Sequence, residues 1–265
     1  MKVVFLVLLS AAIPVGRAWM ANRRTSLFHT LNVVVAAWLA WLGAAAGPDP
    51  TNSASDVLSY VALSLTCCAG VGVLGARFPG ASAWNFVLLG LLAVMLLPVA
   101  ESMTLGRRIL LEWPRLVLVA GILCFIALNY LPTRLGPAAC LLALGGTGEV
   151  LRINQPASLF WTTGTSFWFV ALSPWFAWLS LSSRRQSASQ FDAVWFDFRD
   201  RYGFLWAQRV REQFNNSANH AGWPVVLHWN GLRLRSPLDP ALQDDVLRNL
   251  KALLRRFLPD LAETT

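Results

Sequence analysis

Charge is what this sequence has least of. Only 14% of its 265 residues are Asp, Glu, Lys or Arg, against roughly 25% in ordinary soluble domains. Twenty-two basic and 14 acidic side chains cannot build a water-facing surface for a chain of this length. The same shortage excludes disordered, collagen-like and coiled-coil readings, which need far more polar or repetitive sequence. Lysine is almost missing, since arginine supplies 20 of the 22 basic residues. No stretch is basic enough to indicate a nucleic-acid partner.

Histidine is confined to His29, His220 and His228, all outside the apolar stretches, which excludes a haem held in the bundle by two histidines. The four cysteines, Cys67, Cys68, Cys124 and Cys140, lie inside apolar stretches without metal-ligand spacing. They read as small core or lipid-facing residues. There is no phosphate loop, HExxH or GxSxG. The run Gly145–Glu149 (GGTGE) follows no strand and is read as small-residue helix packing. No catalytic residue, metal site or cofactor is therefore expected.

What the sequence has is apolar length. Hydrophobic residues make up 55% of the chain, and its mean hydropathy is +0.49. Stretches of membrane-spanning length recur at 3–16, 31–47, 56–76, 83–100, 115–132, 135–151 and 157–182. The expected fold is predominantly α: a polytopic helical membrane bundle of about seven spans (1–182) followed by a small C-terminal α-β-β-α domain (183–265). Composition marks that boundary, with 15 charged residues in the first 182 and 21 in the last 83.

Two stretches decide the topology. The first has the profile of a signal peptide, but Arg17, Arg23 and Arg24 follow at once and resist translocation, so an uncleaved anchor is the preferred reading. The sixth, LGPAACLLALGGTGEVL, is short and glycine-rich and reads as a tight span or a re-entrant loop. Seven spans with the N-terminus outside place seven arginines in the inner loops against five basic residues outside. Without the sixth crossing the count is six against six. A cell-membrane protein with a cytoplasmic C-terminal domain follows. Most tryptophans fall near span ends, where amphipathic rings prefer the headgroup level.

In the last third, Phe191, Val194, Trp195, Phe198, Tyr202, Leu205, Trp206, Val210 and Phe214 keep helical spacing. WPVVLHWNGLRLR predicts a hairpin turning at Asn230-Gly231 in a type I′ turn, with Trp229 opposite Leu232 and Leu227 opposite Leu234. His228, Arg233 and Arg235 then share the other face. A final helix starts at Asp239-Pro240, with Leu242, Val246, Leu250, Leu253 and Phe257 as its inner stripe. So small a core requires a further surface, either the membrane face of the same chain or a second copy. The candidate partner surface is Phe191, Trp195, Phe198, Trp206, Trp223, His228, Arg233 and Arg235.

The second polar concentration lies on the predicted outer face. A candidate vestibule comprises Glu101, Arg107, Arg108, Glu112, Glu149 and Arg152, with Asp56, Arg115 and Ser166 adjoining. Ionised groups so near hydrocarbon must be paired, wetted or in use. Three functions compete. The first is a non-enzymatic assembly, scaffold or regulatory subunit acting through its C-terminal domain, by a protein partner or by self-association. The second is a small transporter or channel using the polar cluster. The third is a lipid-modifying membrane enzyme using the same carboxylates.

Overall fold

In a computed structural model of the chain, residues 2–47, 53–77, 81–106, 108–154, 163–183, 189–235 and 239–258 are described. Within them the fold is mostly helical, with one small antiparallel sheet. The helices are α1 (Lys2–Ser10), α2 (Ala12–Ala21), α3 (Phe28–Ala46), α4 (Ser53–Gly72), α5 (Ala81–Leu105), α6 (Trp113–Tyr130), α7 (Gly136–Asn154), α8 (Thr163–Ser182), α9 (Gln190–His220) and α10 (Pro240–Leu254). The strands are β1 (Val225–His228) and β2 (Gly231–Leu234).

Among the described residues, five rods are long and apolar enough to cross a membrane: Lys2–Ala21, Phe28–Ala46, Ala54–Gly75, Ala83–Leu105 and Trp113–Tyr130. Their outward faces carry Leu6, Leu39, Phe86, Leu89, Val94 and Leu128 in the open. So much exposed apolar surface is costly in water and suits hydrocarbon. Helices α7 and α8 are less apolar and fall outside that set, yet they pack into the same bundle. Gly145 and Gly146 let α7 approach its neighbours: a Cβ on Gly145 would lie 2.7 Å from Val170 of α8, and one on Gly146 2.9 Å from Leu123 of α6.

The first rod is not one continuous helix. Pro14 has no N–H to give Ser10, and its ring crowds that carbonyl, so the ladder breaks at Ala11. Trp38 of α3 donates its indole N–H to the Leu8 carbonyl at 2.9 Å beside the break.

The two ends of the bundle differ. One gathers residues 22–27, 73–77 and 131–135, and α9, the hairpin and α10 cover it. The other carries Asp56, Glu101, Arg115, Glu149 and Arg152. Along α4, the 17 residues from Asp56 to Val73 separate the ends by ~26 Å, close to the ~30 Å of a hydrocarbon core.

Three expectations for the C-terminal segment meet the structure differently. The aromatic stripe is one helix by hydrogen bonding, but α9 kinks at Gly203, where φ is 78° and ψ −173°. The hairpin forms in another register: Leu227 pairs with Leu232 and Val225 with Leu234, so the turn residues are Trp229 and Asn230. Neither has positive φ, so the turn is not type I′. The cause is tertiary. The Trp229 carbonyl accepts from Trp195 Nε1 (3.3 Å) and Arg199 Nη1 (3.0 Å), which withdraws it from the ladder. Gly231, at φ 117°, lets Asp192 approach so closely that a Cβ would lie 2.5 Å from its Oδ1. The final helix begins at Pro240 as expected; its buried residues are Val246, Leu250 and Leu254, with Phe257 in the following turn.

Candidate functional site

The polar end is built around Arg152, in the last turn of α7. Glu149 is one turn earlier on the same face and has no exposed surface. Arg152 Nε donates to Glu149 Oε2 at 3.0 Å, and Nη1 donates to Asp56 Oδ1 of α4 at 2.6 Å. Nη2 also lies 3.0 Å from Glu149 Oε2 but is not aligned to donate to it. The Ser166 hydroxyl of α8 donates to the other Glu149 oxygen. One guanidinium thus joins three helices through two carboxylates. A charge this deep is tolerable only while paired, and removing one partner of such a set strands the rest.

The other members of the expected vestibule stand apart. Glu101, at the end of α5, takes a two-point ion pair from Arg115 of α6, at 2.6 and 2.8 Å. That pair is half open to solvent on the glutamate side, so its net worth is small. Arg108 and Glu112 are exposed in the loop between those helices. Arg107 lies outside the described residues. Asn154 holds this loop down: its side chain accepts from Leu111 N at 3.0 Å and donates to Leu111 O at 3.2 Å.

At the opposite end the bundle receives the C-terminal segment. Trp206 Nε1 donates at 3.0 Å to the Val73 carbonyl, which also accepts from Ala76 N at 3.2 Å in the tight turn where α4 runs out. Asn129 accepts from Leu205 N at 3.1 Å and fills the space that Gly203 leaves, where a Cβ would lie 2.3 Å from its amide. Tyr130 donates to Arg201 O at 3.2 Å, and Trp229 Nε1 to Pro132 O at 3.1 Å. Ser26 is the centre of the seam. Its N–H donates to the Phe257 carbonyl at 3.1 Å, and its hydroxyl lies 2.8 Å from the Ala76 carbonyl and 3.1 Å from the Tyr202 hydroxyl. Tyr202 donates to the same Phe257 carbonyl at 2.9 Å. Burial pushes its hydroxyl up to about 12, against a smaller downward pull from Ser26.

The residues expected to meet a partner divide accordingly. Phe191, Trp195, Phe198 and Trp206 are buried in a core that also contains Leu27, Val73 and Ala76 of the bundle. Trp223 is half-buried at its edge. His228, Arg233 and Arg235 are exposed. Between the α6–α7 turn and the hairpin an open groove of about 440 Å³ is lined by Arg134, Arg199, Trp229 and Asn230 among others. Arg199 is held there by Asp200 at 2.8 Å and by the rings of Phe196 and Trp229.

Among the described residues no group of three or more His, Cys, Asp or Glu side chains could hold a metal ion. Helical spacing and hairpin alternation exposed neither Ser26 nor Gly203 as seam residues; a serine in a short loop and a glycine in an aromatic helix carry no periodic signal. The class this geometry defines is a mostly helical protein with several helices able to cross a membrane. No family model, curated protein or solved structure matches the chain.

Proposed function

We propose that this chain is a non-enzymatic, multi-pass component of the cell membrane, an assembly, scaffold or regulatory subunit. In this reading α1–α2 and α3 to α8 make seven crossings, and the segment from 183 onward is a cytoplasmic domain seated on the inner end of the bundle. The observation that carries the reading is the seam itself. Ser26, Asn129, Tyr130, Tyr202, Trp206 and Trp229 tie that segment to three separate turns of the bundle. A unit fixed at three points holds whatever binds its outer surface at a set position relative to the membrane. The surface left for a protein partner is the basic hairpin face with His228, Arg233 and Arg235, and an acidic protein surface complements it.

Affinity purification of the full chain, beside an Arg233→Glu/Arg235→Glu variant, tests this. The expected result is a co-purifying protein lost from the variant while membrane abundance stays unchanged. Equal recovery from both would remove the hairpin face from the reading.

The transporter reading retains one specific support, the Asp56–Arg152–Glu149 set inside the bundle. Glycine-tight packing beside it and the mutual pairing of its groups favour a lock between helices over a path.

A further inference from the structure

A groove of about 350 Å³ opens on the flank of the bundle between α2 and α3, away from both the charged set and the hairpin. Ala12, Val15 and Gly16 form one wall, Val35 and Trp38 the other, and Trp19 and Asn32 close the end nearer the C-terminal segment. Both indole N–H groups are engaged within the protein, Trp38 with the Leu8 carbonyl (2.9 Å) and Trp19 with Asn32 Oδ1 (2.8 Å). The rings therefore show the groove only apolar faces. From Ala12 to Trp19 the slot runs ~10 Å along the helix, enough for the upper part of one acyl chain.

The closed end is basic. Arg23 stacks over the Trp19 ring at 4.6 Å, and exposed Arg24 follows it. The first 48 residues contain no Asp or Glu, so no acid of α1, α2 or α3 answers these charges. Asp197, which approaches from α9, is already paired with Arg201, and Arg201 in turn donates to Asn22. Asn32 is exposed and accepts from Trp19 through its oxygen, so what it can offer a ligand is its amide N–H donors. An apolar slot below two arginines that form no ion pair among the described residues, with an amide donor beside them, fits a lipid with a negative head.

We propose that the groove between α2 and α3 binds an anionic phospholipid of the surrounding bilayer, with one acyl chain along Gly16 and Trp38 and the phosphate at Arg23, Arg24 and Asn32.

The test uses the full chain in nanodiscs of phosphatidylcholine containing a minor fraction of phosphatidylglycerol. Lipid retained through detergent extraction is counted by mass spectrometry. Wild-type protein is expected to retain phosphatidylglycerol selectively. A Cβ at Gly16 meets nothing within 4 Å, so Gly16→Leu fits the fold while filling the slot. Gly16→Leu and Arg23→Gln/Arg24→Gln are each expected to lower retention about tenfold or more, with unfolding temperatures in pure phosphatidylcholine unchanged. Absence of selectivity in the wild type overturns the proposal. So does wild-type retention by Gly16→Leu, which would reduce the binding to surface charge alone.

Discussion

At the scale of single residues, the charged set at the polar end makes an asymmetric prediction. Arg152 neutralises two carboxylates, so Arg152→Met should cost about 3–5 kcal/mol and deplete the protein from membranes. In Glu149→Gln the amide can still meet both Ser166 and Arg152, and Asp56 keeps its ion pair, so the loss should be about 1 kcal/mol. Unfolding temperatures of the purified variants check the order. Equal losses would mean that Glu149, rather than Arg152, organises the site. A transport role predicts instead that Glu149→Gln abolishes activity at normal abundance. Tyr202 gives a pH dependence. Its hydroxyl titrates near 10 in an unfolded chain and at about 12 in the fold, so the native state holds the proton more tightly. Its contribution is complete below pH 10 and is lost as pH rises through 10 to about 12. Tyr202→Phe should lose about 1–2 kcal/mol at neutral pH by orphaning part of the Ser26 and Phe257 seam. It should also flatten the alkaline fall in stability, measured as unfolding temperature against pH.

At the scale of elements, what was legible in the sequence depended on how local its cause was. Apolar length placed the helices α3 to α8 to within a few residues at most ends, because a span is determined by its own composition. Period 3.6 identified α9 and α10 for the same reason. The hairpin faces were also legible, since period two sets Val225 and Leu227 on one face and His228 and Arg233 on the other, and Val225 and Leu227 are buried. Its register was not, because Trp195 and Arg199 of α9 claim the Trp229 carbonyl in the turn and Asp192 claims Leu232 N of β2, from 30 to 40 residues away. The candidate vestibule was legible in part: helical spacing of three pairs Glu149 with Arg152, whereas which acid of another helix joins them depends on packing. The kink in α9 has the same character. Gly203 takes a backbone conformation that only glycine holds without strain, and Asn129 occupies the place of its Cβ. Gly203→Ala should therefore cost about 2–3 kcal/mol, and its first sign should be faster proteolysis of the C-terminal segment, while Gly16→Leu leaves that segment untouched.

At the scale of the whole molecule, the seven crossings proposed above would put residue 2 and residue 183 at opposite ends of the bundle. A reporter fused at residue 265 should be active in the cytoplasm and silent outside; the reverse would invert the topology and the assignment of the polar end to the outer face. The stronger test concerns how the C-terminal segment is held. Its core is not its own, because Leu27, Val73 and Ala76 complete the cluster of Trp195, Phe198, Trp206 and Phe257. Two helices and one hairpin bury little surface, and small units have only a few kcal/mol to lose. Detaching them exposes that apolar seam, leaves the Trp206 and Trp229 indole donors without the Val73 and Pro132 carbonyls, and takes the Ser26 hydroxyl from Tyr202. Residues 184–265 expressed alone should therefore lack a cooperative thermal transition or self-associate through the uncovered face, as circular dichroism and sedimentation would show. A stable, monomeric fragment would mean that the seam is a contact between two finished domains, and a detachable domain would then be free to carry a partner away from the bundle.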